Sequence, residues 1–252
     1  MSAHRGSGRR DQRDDLDRAL AELVARYELT DIAGGRLKAL LATLTGDPHA
    51  PTTLHDPLTA VHDHLADSLV ALELPAVRDA RHVADLGAGA GLPGLPLAIA
   101  LPAATVTLVE SNGRKCDFLR RAREACGVAN ALVVPARVEG WADGLGRCDL
   151  VTARALAPLA VVAEYAAPLL ALGGTLVAWR GRREPEGEAA ATRAADELGL
   201  EVRSPVAVTP YPGALHRHLH VLVKTGPTPA RFPRRAGMAR KRPLGAYDRS
   251  QR

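Results

Sequence analysis

The sequence predicts an α/β fold: a mostly parallel sheet of seven strands, preceded by a helical cap and followed by a basic tail. Three observations predict it. From residue 81 onward, short β-branched runs alternate with segments of helical periodicity, the pattern of an open parallel sheet covered by helices on both faces. The first of those runs ends in VADLGAGAGLPG (83–94), a glycine-rich turn opening a helix, the place where such sheets hold nucleotide-like ligands. The first 75 residues instead carry apolar side chains at helical spacing, with no strand pattern.

The elements follow in order. Residues 1–14 read as a disordered basic arm; MSAHRGSGRRDQRDD has no apolar stretch behind its arginines and does not read as a secretory signal. Residues 15–75 form the cap. Leu16, Leu20, Leu23 and Val24 belong to two helices within 13–45, punctuated by Gly34-Gly35. GDPHAPTTLHDP (46–57) is a loop, and Leu58, Val61, Leu65, Leu69 and Leu72 share one face of a third helix over about 57–72. Residues 76–225 hold the sheet, with strands expected at 82–86, 105–110, 131–136, 148–154, 174–179, 202–208 and 218–224. Helices fit at 93–101, 113–126, 156–171 and 185–199. Only YPGALHR separates the last two strands, so they pair antiparallel at one edge. A parallel sheet ending in such a hairpin is the outline of a class I methyltransferase, a Rossmann-like fold. Residues 226–252 are the tail.

Composition narrows the function. With 46% hydrophobic and 24% charged residues the chain is ordinarily globular, while 3% aromatic leaves few positions for stacking bases. Cys116, Cys126 and Cys148 form no C-x-x-C pair, so buried thiols in a reducing cytoplasmic compartment are expected. No run approaches the roughly 18 apolar residues of a membrane helix, and no membrane partner is expected. The net charge of +5 is unevenly placed: residues 226–252 hold eight Lys or Arg against one Asp, leaving the remainder slightly acidic. Such a tail suits a phosphate-rich partner, because cations release condensed counterions; a solubilising terminus is the equal alternative at this point.

The glycine turn carries two fingerprints. Gly87, Gly89 and Gly91 give G-x-G-x-G; Gly89, Gly91 and Gly94 give the dinucleotide spacing G-x-G-x-x-G. Asp85 is read as the discriminator, since a carboxylate at this turn opposes a pyrophosphate and attracts the ammonium of S-adenosylmethionine. Register agrees: counting from the first glycine after the strand puts Leu92 where a dinucleotide motif needs its third glycine. Glu110, closing the next strand, suits the ribose hydroxyls of either cofactor. The residues favour a methyltransferase, with an NAD-dependent oxidoreductase as the alternative.

Several stretches together resemble one family. DLGAGAGLPGLPLAIALP, VTLVESNGRKCDFLR, ARVE and TARALAPL are similar to the bacterial 16S rRNA guanine-N7 methyltransferases (RsmG/GidB type). Upstream, DPLTAVHDHLADSL resembles the family's H-x-x-D-S-L helix; downstream, RFPRRAGMARKRPL resembles its closing P-R-x-x-G-x-x-x-x-x-P-L, so the likeness spans about residues 52–244. The resemblance implies S-adenosylmethionine as donor and N7 of a guanine in the 530 loop of 16S rRNA, in the small ribosomal subunit, as acceptor. It places Gly87 and Leu92 at the cofactor turn, Val138 and Glu139 on the adenine side, and Arg154 near cofactor and target base. Ala50-Pro51-Thr52 departs from the family's Asn-Leu-Thr, keeping only the threonine, and Arg180 replaces a lysine.

Guanine N7 is unprotonated at neutral pH, so the expected chemistry needs no general base and consists mainly of positioning, with Arg154 as the positioning residue. TARALAP also lacks the N/D-P-P-Y/F/W motif of enzymes that methylate exocyclic amines. His64 and Asp67, one turn apart, read as orienting or pocket-lining groups. The expected RNA face comprises Arg114, Lys115, Arg180, Arg182, Arg231, Arg234, Arg235 and Arg240. Trp141 and Trp179 read as packing residues before stacking ones. His216, His218 and His220 alternate along a strand without Cys or acidic partners, so no metal is expected. The chain is read as a monomer. A non-catalytic rRNA assembly factor and a small-molecule methyltransferase are the further alternatives.

Overall fold

A computed structural model describes residues 7–246, with side chains from residue 12 onward. The first helix, Ser7–Arg26, starts inside the stretch expected as an arm; residues 1–6, and Asp248, Arg249 and Arg252 of the tail, lie outside the described residues. The second helix is Asp31–Gly46. Its start corrects the sequence reading, for Gly34-Gly35 sit inside it. The break falls at Glu28–Thr30, where Thr30 Oγ1 accepts from Ala33 N at 3.2 Å and caps the new helix. Gly34 serves packing: a Cβ there would stand 3.1 Å from Val24 Cγ2 of the first helix.

The third helical stretch changes pitch along its length. One α-turn, Pro57–Ala60, is capped by Asp56, a π-helical run follows over Val61–Ala66, then Asp67–Leu69 and a 3-10 turn, Val70–Glu73. π-runs recur at functional sites because they re-aim side chains and carbonyls. Here the run carries His62, Asp63 and His64.

Among the described residues eight strands form one sheet: β1 His82–Leu86, β2 Thr105–Glu110, β3 Ala131–Pro135, β4 Cys148–Arg154, β5 Leu170–Arg180, β6 Leu200–Val202, β7 Val206–Val208 and β8 Arg217–Lys224. Their order is β3-β2-β1-β4-β5-β8-β6, with β7 also on β8. β1 to β5 are parallel and β8 runs antiparallel to β5. The seventh expected strand holds, but the sixth is two. Val202 pairs with Leu222 and Val206 with Leu219, so one extra residue is accommodated at Ser204-Pro205. Proline has no N–H for the ladder, which explains the bulge. β5 also takes in Leu170 and its neighbours, which the sequence had placed at a helix end.

One core lies on each face. The cap helices and the helices Gly94–Ala100 and Gly113–Ala125 share the first, continuous through Leu37, Leu41, Leu69, Leu97 and Phe118. Leu159–Ala166 and Pro185–Leu198 cover the other, with Val161, Ala195 and Leu198. β1 stands where the strand order reverses, the crevice that ligands use in open α/β sheets.

Candidate functional site

The glycine turn leaves β1 at that crevice. Gly87 takes φ +66°, and a Cβ on it would meet Leu156 Cδ1 at 2.5 Å. Gly94 opens the next helix, and its Cβ would stand 2.3 Å from Leu108 Cδ2 and 2.7 Å from Asp85 Oδ2, so it is a packing glycine. Asp85 itself overturns the electrostatic argument made from the sequence. It is 1% exposed; Oδ2 accepts from Gly94 N at 3.0 Å and Oδ1 from Thr152 Oγ1 at 2.9 Å, across the β1–β4 register. Burial pushes its carboxyl up to about 7, against the opposing pull of those two hydrogen bonds. The carboxylate therefore braces the turn from beneath and is not presented to a ligand's ammonium. Leu92 is likewise buried in the core below the turn.

Glu110 ends β2 beside the turn. Its Oε2 accepts from Gly89 N (3.1 Å) and its Oε1 from Asn112 N (2.8 Å), which fixes the carboxylate while leaving a further lone pair on each oxygen. It lines a cavity of about 410 Å³ with Gly87, Val138, Glu139, Leu156 and Tyr165. Of the residues expected around the cofactor, Gly87, Glu110, Val138 and Glu139 meet here; Gly89 and Gly91, at φ +56° and +83°, shape the turn. Lys115 and Arg240, expected on an RNA face, also line this cavity. Arg114 is exposed at the start of helix Gly113–Ala125.

Arg154 faces a second cavity of about 410 Å³, lined by Asp67, Trp179, Arg180, Arg182, Glu184 and Arg217 among others. Ala155 lines both cavities and takes φ +52°, a left-handed conformation costing about 1 kcal/mol without glycine. Arg154 Nη1 donates to Asp67 Oδ2 at 2.8 Å and to Asp63 O of the π-run at 3.2 Å. Arg217 Nε lies 3.4 Å from Asp67 Oδ1, and Trp179 Nε1 donates to Asp67 O at 2.7 Å. Asp67, 7% exposed between two guanidinium groups, thus sets the direction of Arg154. Arg180 donates to Ala157 O at 3.0 Å. The surviving Thr52 bonds His64 Nε2 at 2.8 Å, and burial, with Arg154 nearby, lowers the imidazole's pKa.

The tail is a docked strap. Arg234 forms a double hydrogen bond with Glu164 (2.6 and 2.5 Å), Arg231 meets Glu197 (2.6 Å), Gly237 N donates to Glu139 (2.8 Å) and Arg240 to Leu156 O (2.8 Å). Arg231, Arg234 and Arg240, expected to face RNA, are therefore engaged with the body: Arg234 with the buried Glu164, Arg231 with Glu197 at the surface and Arg240 with a backbone carbonyl. Arg235 stays exposed. Among the described residues no three His, Cys, Asp or Glu are grouped to hold a metal ion: His218 Nδ1 meets Gly181 O, and His220 is buried 3.8 Å from Glu188. No described helix is long and apolar enough to cross a membrane.

Leu156, Tyr165 and Arg137 of the first cavity, and Arg217, Glu184 and Val208 of the second, escaped the sequence reading. Their spacing carries no signal, since packing of strand ends brings them together.

The strand order, the glycine turn with Glu110 and the twin cavities define a class I, S-adenosylmethionine-dependent methyltransferase. A family model described as rRNA small subunit methyltransferase G matches residues 41–211. The chain belongs to this family of rRNA methyltransferases. It is 43% identical over 195 residues to ribosomal RNA small subunit methyltransferase G of Rubrobacter xylanophilus, covering 75% of each chain. It is 41% identical over 198 residues to the Chloroflexus aggregans protein of the same name, covering 77% of this chain and 82% of that one. Aeropyrum pernix fibrillarin, solved with natively bound S-adenosyl-L-methionine, shares the fold at TM-score 0.50 and 15% identity, over 63% of this chain and 72% of that one. The oxidoreductase alternative falls with this membership.

Proposed function

We propose that the protein methylates N7 of a guanine in the 530 loop of 16S rRNA, acting as a cytoplasmic monomer on the small ribosomal subunit. The observation that carries the reading is the meeting of two cavities at Ala155, one bordered by the glycine turn and Glu110, the other by arginines. The first cavity fits the donor: Val109, Val138 and Leu156 give apolar walls for an adenine, and Glu110 keeps free lone pairs for ribose hydroxyls. S-adenosylmethionine, when bound, supplies an electrophilic methyl group on its sulfonium.

The reaction is an in-line displacement. The N7 lone pair forms the new N–C bond as the C–S bond breaks, and the leaving group is neutral S-adenosylhomocysteine. No proton moves, so no base is needed, and the residues act by placement. Gly87, Gly89 and Gly91 shape the donor turn, Asp85 and Leu92 support it from below, and Val138 and Glu139 close the adenine side. Arg154, aimed by Asp67, positions the acceptor at the Ala155 boundary. Arg180, Arg182 and Arg235 face the RNA backbone with Arg114, while Lys115 and Arg240 border the donor.

Mapping N7-methylguanine by borohydride and aniline cleavage in rRNA from cells with and without this protein tests the reading. One cleavage in the 530 loop, lost on deletion, is expected. An unchanged pattern, or loss at another site, overturns the assignment.

A further inference from the structure

A guanine that enters a cavity for methylation leaves its stack, and the nucleotide beside it then loses a stacking partner. The chain has few aromatics to replace it. Trp179 is 6% exposed and bonded to Asp67 O, Trp141 lies over Gly144, whose Cβ would stand 2.5 Å from the ring, and Tyr27, Tyr165, Phe118 and Phe232 are buried. Among the described residues Tyr211 differs from these. It stacks on His62 with centroids 4.9 Å apart and planes 14° from parallel, and both rings are half-exposed.

The pair is tied to the second and third cavities through Asp63 and Arg217. His62 precedes Asp63 in the π-run, the Tyr211 hydroxyl donates to Asp63, and Arg217 Nη2 lies 3.6 Å from the same carboxylate. Arg217 lines both the second cavity and a third, open one of about 610 Å³ bounded by Thr52, Asp63 and His64, so the two adjoin at its side chain. Arg26 anchors the loop that carries Tyr211, donating to Pro210 O at 2.8 Å and Thr209 O at 3.0 Å. Ring orientation is thus fixed before any ligand arrives.

We propose that the His62–Tyr211 stack is a platform for the base next to the methylated guanine, and that the cavities adjoining at Arg217 carry the single-stranded rRNA on either side. A half-exposed parallel pair extends to a third ring with little ordering cost, and the arginines lining those cavities match a phosphate backbone. The inference rests on the rRNA-methylating function proposed above.

Methyl transfer to 16S rRNA by the full-length protein, with KM for RNA and kcat measured separately, tests it alongside S-adenosylhomocysteine affinity by calorimetry. Tyr211→Ala is expected to raise KM for RNA roughly tenfold or more, with kcat and S-adenosylhomocysteine affinity within twofold of wild type. His62→Ala shifts KM in the same direction, and Tyr211→Phe, which keeps the ring and loses the bond to Asp63, stays near wild type. A Tyr211→Ala KM within twofold of wild type overturns the platform, as does a Tyr211→Phe defect equal to that of Tyr211→Ala. If Tyr211→Ala weakens S-adenosylhomocysteine binding, His62→Ala decides by the same KM criterion. Wild-type protein that transfers no methyl group overturns the function itself, and retention of 16S rRNA on filters by the same variants then judges the platform alone.

Discussion

Removing the guanidinium of Arg234 probes the strap where it is most tightly held. Glu164 is 2% exposed on helix Leu159–Ala166 and receives both Nε and Nη2 of Arg234, whose side chain is 21% exposed. Arg234→Ala leaves a buried carboxylate without its counter-charge, a loss of about 3–5 kcal/mol where the strap stays docked. The strap can instead lift and rehydrate Glu164, which limits the loss to its own docking energy. Burial of Phe232 contributes about 2 kcal/mol to that, beside the contacts to Glu197, Glu139 and Leu156 O. We expect a loss near 3 kcal/mol, or a fall in Tm of about 6–12 °C for a chain of this size. Urea denaturation followed by far-UV circular dichroism gives the free energy, and tryptic cleavage within 226–246 reports lifting. Because Gly237 and Arg240 reach the first cavity, S-adenosylhomocysteine should also bind more weakly. The double replacement Glu164→Leu with Arg234→Met should restore stability to within about 1 kcal/mol of wild type, since it leaves no unpaired buried charge. An Arg234→Ala protein within 0.5 kcal/mol of wild type, equally resistant to trypsin, would refute the argument.

Three other expectations follow from the site. Asp85 titrates near 7 folded and near 3.8 unfolded, so between those values the folded state holds the extra proton and stability falls as pH rises. Asp85→Asn keeps an acceptor for Gly94 N, and its melting temperature should drop less than that of wild type between pH 5 and 8; parallel curves would exclude the effect. Gly87→Ala forces a left-handed alanine, about 1 kcal/mol, and turns Leu156 into the cavity, so affinity for S-adenosylhomocysteine should fall tenfold or more by calorimetry while stability changes by only about 1–2 kcal/mol. Replacing Arg235, Lys241 and Arg242, all exposed, by Ala should flatten the log–log salt dependence of rRNA binding by up to about 2; Arg231→Ala, whose guanidinium Glu197 already holds, should hardly change it.

The sequence by itself determined the alternation that builds the sheet, the turn from Gly87 to Gly91, the acceptor at Glu110 and the family. Those features are local: β-branched runs, turn glycines and a strand-end acid act through neighbouring residues, and periodicity records them. Tertiary packing decided what the charges do. Asp85 looks the same in the sequence whether it faces a ligand or Thr152, and only the register of β1 against β4 sends it inward. Likewise the eight cations in 27 residues carry no mark of which are held until Glu164 is found under Arg234, Glu197 beside Arg231 and Glu139 on the Gly237 backbone. The break at Thr30 escaped notice because a helical glycine that admits Val24 resembles a helix-ending one. His62 stands far along the chain from Tyr211 and Arg217, and no spacing in the sequence links them. They meet because β8 runs back against β5 and carries its preceding loop onto the cap, where charge burial and ring contact set their roles.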